Sequence, residues 1–190
     1  MNIPFLRSTL RAAGLALVAL GLTCAAGQAE TLGAFKGVPV VLDSSALMLD
    51  GKTLTLWGID TLAPDQHCWR GARPWRCGEQ ATFALKHLVE SNTVQCHVKD
   101  MTPGNKIFVQ CFCRHGNDEV DVAAYLVKRG WALTTNNLTP SPYVQEQSKA
   151  QDDGRGIWTS RFQTAEDWKN GIQNYINDDS DDEGEGDETP

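Results

Sequence analysis

Two cysteines placed symmetrically about a tight turn constrain this chain more than any other feature. Thr93 to Lys99 and Lys106 to Arg114 read as strands joined through Thr102-Pro103-Gly104-Asn105. Pro followed by Gly at the centre of four residues is the preferred chemistry of a type II turn. If Thr102 and Asn105 face each other, Cys96 and Cys111 do so as well, and a covalent staple locks the same register that the turn sets. Cys113 then lies on the same face and is the odd thiol. Cys68 and Cys77 would close a short loop ahead of a helix. Metal binding is the alternative, but the Cys-x-Cys at 111 to 113 lacks the second closely spaced pair of a zinc site.

The rest of the pattern extends this hairpin into a small barrel. Val38 to Leu42 and Ala46 to Leu49 are extended, Asp50-Gly51 is a strong hairpin turn, and Thr53 to Ile59 is rich in β-formers. A loop rich in Pro, Arg and Trp runs from Leu62 to Cys77. Glu79 to Val89 carries Ala81, Ala84, Leu85 and Leu88 at the spacing of one helical face. Asp121 to Arg129 reads as a second helix stopped by Gly130, and Tyr143 to Gln151 as a third. Five strands interrupted by a helix, with more helix afterwards, predict an α+β, mainly β fold: a five-stranded OB-fold barrel with about three helices.

The ends of the chain differ from its body. Arg7 and Arg11 precede an apolar run from Ala12 to Leu22 and small residues ending at Ala29, the layout of a signal peptide, with the apolar run too short to span a bilayer. Residues 1–29 are therefore expected to be removed, which makes the protein exported, periplasmic or secreted, with no transmembrane segment in the mature chain. Cys24 raises a lipoprotein alternative, but Gly21-Leu22-Thr23 is a poor lipobox. Residues 30–160 form the expected domain, 161–177 a C-terminal extension, and 178–190 a low-complexity acidic tail, disordered by composition. The net charge of −7 divides unevenly: +2 before residue 30, −8 in the tail and −1 between. A body this close to neutral lacks the concentrated basic field of a non-specific nucleic-acid binder.

Five pieces in order now carry a resemblance. They are Leu56-Trp57-Gly58-Ile59-Asp60, Cys68 with Cys77-Gly78, Cys96 with Cys111, Leu126-Val127-Lys128-Arg129-Gly130-Trp131-Ala132, and Gly154-Arg155-Gly156-Ile157-Trp158. The chain resembles the staphylococcal-nuclease-like, or thermonuclease, family over roughly residues 36 to 160, most closely its exported bacterial members with cysteines. It is also similar to the type of exported nuclease-like protein associated with succinoglycan exopolysaccharide production. The resemblance implies an SNase-like OB fold and calcium-dependent phosphodiester cleavage. In that family two Asp and a backbone carbonyl hold the metal, a Glu positions or activates water, and two Arg stabilise charge on the phosphate.

This chain departs from that pattern at four positions. Fifteen residues before Asp60, where the first metal Asp is implied, stands Ser45, and five before Asp60, where an Arg is implied, stands Thr55. Ala63 occupies the place of the Glu, and Asn105 that of the second Arg after Gly104. Only Asp60, with the Thr61 carbonyl behind it, matches the implied metal ligands. Asp50-Gly51-Lys52-Thr53 imitates the metal motif but has the place and chemistry of a hairpin turn. Asp65 could serve for the missing Glu and Lys106 for a missing Arg, although Lys lacks the forked donors of Arg.

These readings lead to a pseudoenzyme: an exported, nuclease-like OB-fold protein, catalytically degenerate, acting as a binding or accessory factor in the cell envelope. No cofactor is expected, with Ca2+ required only if activity persists. One alternative is an active metal-dependent phosphodiesterase with rearranged ligands, and nucleic acid is a partner only then. The other is an accessory protein in exopolysaccharide biosynthesis, whose partner would be a glycan or an envelope protein. Asp60 is expected to bond turn amides, and the four His residues to serve surface or loop roles. Trp69, Arg70, Arg73 and Trp75 form a candidate ligand edge on which sugars or bases could stack.

Overall fold

A computed structural model of the chain describes residues 33–177. The signal peptide and the acidic tail read from the sequence lie outside the described residues. Within them the strands are β1 (Ala34–Gly37), β2 (Val40–Val41), β3 (Ala46–Leu49), β4 (Lys52–Leu56), β5 (Ile59–Thr61), β6 (Cys68–Arg70) and β7 (Arg73–Trp75). They continue with β8 (Val94–Met101), β9 (Ile107–His115), β10 (Asp118–Asp121) and β11 (Ala132–Thr134). The helices are α1 (Cys77–Val89), α2 (Val122–Lys128), α3 (Val144–Asp152) and α4 (Ala165–Asn170), with a 3-10 turn at Gly156–Thr159. None of them is long and apolar enough to cross a membrane.

The main sheet runs β1-β8-β9-β4-β3-β2, with β10 added to β9. All its pairings are antiparallel except β4 with β9. This curled, mixed α+β arrangement is the expected OB-like class, with α4 as a fourth, short helix beyond the three anticipated. Leu47, Leu54, Leu56, Val94 and Val109 point from the sheet into a core closed by Leu85 and Leu88 of α1 and Leu126 of α2. Each such side chain, fully buried, contributes about 1.5–3 kcal/mol relative to exposure.

Three local expectations are corrected. The hairpin of β8 and β9 does pair Cys96 with Cys111, and a disulfide joins them, but its turn is not type II. Asn105 rather than Gly104 takes the positive φ, at 58°, and Thr102 faces Lys106 instead of Asn105. The register slips by one residue at the turn and a bulge between Val98 and Asp100 restores it. A type I turn followed by a left-handed residue gives this three-residue loop. Secondly, the predicted strand Thr53 to Ile59 is broken at Trp57-Gly58. Gly58 has φ 80°, and a Cβ there would stand 2.6 Å from Pro142 Cγ. The break turns β5 out of the main sheet to pair with β11. Thirdly, the loop from Leu62 to Cys77 contains the hairpin β6–β7, and Val38 to Leu42 narrows to the two residues of β2.

A second apolar cluster joins the hairpin to the end of the chain. Leu62, Ala81, Ala150, Ile157 and Phe162 pack around the Cys68–Cys77 disulfide. Residues 161–177 are tied in by backbone bonds between Trp69 and Arg161 in both directions, and between Phe162 and Ile176 likewise. Two further pieces of the sequence pattern meet here. The Ile157 N–H donates to the Gly130 carbonyl at 3.0 Å, and a Cβ on Gly156 would lie 2.2 Å from that same oxygen.

Candidate functional site

Asp60 sits in β5, opposite Leu133 of β11, and is exposed. Its carboxylate accepts no hydrogen bond among the described residues, so the expectation that it bonds turn amides is not met. Asp43 has that role: its Oδ1 accepts from the Ser45 backbone N–H at 2.7 Å and from the Ser45 hydroxyl at 2.8 Å. Ser45 is thus committed to a turn, and its carbonyl accepts from the Leu56 N–H at 2.8 Å. Thr55 pairs with Ala46 on one side and with Phe108 on the other.

Ala63 is 4% exposed and closely enclosed. Its N–H donates to Gln66 Oε1 and its carbonyl accepts from the Gln66 N–H, each at 3.0 Å. The first turn of α1 presses on it: a Cβ on Gly78 would be 1.9 Å from the Ala63 oxygen. Asp65 faces the C-terminal extension and accepts from Trp168 Nε1 at 3.3 Å. Lys106 extends over Phe108, with Nζ 4.9 Å from the ring centre, and Lys99 lies 4.9 Å over Trp57. Among the described residues no group of three or more His, Cys, Asp or Glu could hold a metal ion.

The candidate ligand edge divides in two. Strand alternation and the β6–β7 register place Trp75, Arg70 and Arg73 on one face and Trp69 on the other. On the first, the Arg70 guanidinium lies 4.5 Å over Trp75, whose Nε1 donates to Ser160 Oγ. On the second, Trp69 meets Tyr175 edge-on at 5.4 Å and Trp168 at 6.4 Å. Both rings are engaged within the protein. The four His rings likewise pack against Trp168, Phe83, Phe112 and Tyr125.

Sequence reasoning missed a hollow beside Asp60. It measures about 760 Å³ and opens between β5, β11, α3 and α4. Its wall is rich in carboxamides, with Asn136 and Asn137 after β11, Gln147 and Gln151 on α3 and Asn170 on α4. Glu166 and Lys169 complete the charged groups, and Trp158 and Ile176 form its apolar floor. The Trp158 indole N–H is buried with no hydrogen-bond partner among the described residues. The adjacent Asn136-Asn137 pair was the available signal, but nothing in its spacing joins it to α3 or α4.

A half-buried hydrogen-bonded cluster ties α2 to β9 and to the segment ahead of α3. Asp121 caps α2, its Oδ1 accepting from Ala123 N–H at 2.9 Å and Ala124 N–H at 3.2 Å. Its Oδ2 accepts from Gln110 Nε2 and from the Tyr143 hydroxyl at 3.0 Å. Burial, together with the Asp121 charge, pushes the Tyr143 pKa well above the usual phenol range. Cys113, the free thiol among the described residues, is buried, and burial pushes its pKa up to about 11.

Comparison with known proteins agrees with this architecture. The chain is 28% identical over 157 residues to the succinoglycan biosynthesis protein ExoI of Rhizobium meliloti (strain 1021), which covers 81% of this chain and 78% of that relative. The family model described as staphylococcal nuclease homologue matches residues 53–160, from β4 through the 3-10 turn. With more than half its length inside that match, the chain belongs to the staphylococcal nuclease homologue family.

Proposed function

We propose that this is an exported nuclease-fold protein that no longer cleaves phosphodiesters and acts as a binding or accessory factor in the cell envelope. The observation that carries the reading is the state of the four departing positions. Ser45 is held by Asp43, Thr55 and Asn105 bear no charge, and Ala63 is buried under α1. The side chains present do not fit the calcium that the family resemblance implies. A hard cation of this kind takes six to eight oxygens, whereas Asp60 contributes one carboxylate and Asp65 is bonded to Trp168. Losing one well-placed charge stabiliser costs ~10²–10³ in rate, and here two cations are absent together. Two disulfides support an oxidising compartment.

A nuclease assay on single-stranded DNA, run with calcium and with EDTA, tests this. The expected result is no metal-dependent cleavage. Robust cleavage abolished by Asp60→Ala would establish the alternative, an active phosphodiesterase with rearranged ligands. Calorimetry should show calcium binding weakly or not at all. A role in exopolysaccharide biosynthesis is the second reading, favoured by the similarity to the ExoI protein. It is tested by deleting the chromosomal copy and measuring exopolysaccharide yield, and unchanged yield and composition would remove it.

A further inference from the structure

We propose that the hollow beside Asp60 binds a neutral oligosaccharide. This rests on the non-nuclease reading and supplies its ligand class. The wall chemistry separates sugars from phosphodiesters. Each carboxamide offers two donors and an acceptor, which suits hydroxyl groups that both give and take hydrogen bonds. A phosphodiester only accepts and needs cations, yet Lys169 stands there against Asp60 and Glu166, with no Arg in the wall. The side-chain amides of Asn136, Asn137, Gln151 and Asn170 have no protein partner among the described residues.

The apolar part of the lining is independent of that composition. Trp158, Leu133 and Ile176 line the hollow beside the carboxamides and supply surface for the C–H face of a pyranose. The volume falls in the ~300–1,000 Å³ range of ligand clefts. Another cleft among the described residues, about 590 Å³ between α1 and α2, carries Arg129 and Arg155 with no carboxylate and is unsuited to this ligand.

The test is calorimetric titration of the oxidised full-length protein with cellotetraose, laminaritetraose and β-galactotetraose, with a dT decamer as the anionic control. The proposal expects saturable binding of at least one tetrasaccharide, little changed by salt. Asn136→Ala combined with Gln151→Ala, both at exposed positions, should weaken binding about tenfold. Phe83→Ala, in the cleft between α1 and α2, should leave it unchanged. No saturable binding of any of the three, binding indifferent to the paired substitutions, or displacement by the decamer overturns the assignment. Failure to bind sugar without DNA cleavage overturns the saccharide site alone. Calcium-dependent cleavage lost in Asp60→Ala overturns the non-nuclease reading beneath it.

Discussion

Asp121 does more for this molecule than any acid at the candidate site. It caps α2, and its second oxygen ties β9 to the segment ahead of α3 through Gln110 and Tyr143. Asp121→Ala should cost about 2–3 kcal/mol, a cap plus two hydrogen bonds, read as a lower urea midpoint with unchanged slope. The raised pKa values give stability a direction in pH. Cys113 and Tyr143 hold their protons in the fold beyond the values of 9.0 and 10.0 at which they ionise when unperturbed. The stability they contribute is complete below about pH 9. It falls as pH rises, through about 11 for the thiol and from about 10 upward for the phenol. Tyr143→Phe should be less stable at neutral pH yet lose stability less steeply above pH ~10, measured by urea denaturation across that range. In protein lacking residues 1–29, one thiol should react with a disulfide reagent at pH ~8 only after unfolding. Asp121 was legible as the start of a helix, because capping is local. Its partners were not, because Gln110 and Tyr143 arrive from distant segments.

At the scale of elements, the hairpins and three helices followed from turn chemistry and apolar spacing, which depend on neighbouring residues. Pairing Cys96 with Cys111 came from the same arithmetic, although its premise at the turn was off by one and the bulge at Lys99 restored the register. The break in the Leu54 to Asp60 strand was not legible. Leu54 to Ile59 has the composition of one strand, and what divides it is Pro142 and Tyr143 packed against Gly58. Gly58→Ala should therefore destabilise by about 1–3 kcal/mol or more, from a left-handed φ and a 2.6 Å approach to Pro142. Thermal unfolding checks this, and an unchanged midpoint would show that β5 does not need the break. The hairpin β6–β7 was hidden for another reason. Its three-residue strands are too short to show alternation and are held by Cys68–Cys77 and by Arg161.

For the whole molecule, the family match ends at residue 160, yet the fold continues. Phe162 is fully buried, the Gln163 carbonyl accepts from Gln66 Nε2 at 2.7 Å, and α4 walls the hollow. Truncation after Arg161 should remove about 3–5 kcal/mol through Phe162 alone, with a large drop in the urea midpoint. Composition marked residues 161–177 as an extension, since their packing depends on surfaces made by β6 and the 3-10 turn. The enclosure of Ala63 has a consequence for engineering. Ala63 is 4% exposed, so a glutamate introduced there needs its neighbours to shift before the longer, charged side chain fits. A designer wishing to place an acid at this point would therefore have to redraw the packing from Thr61 to Gln66 together with it, treating the segment as one part rather than as separate positions.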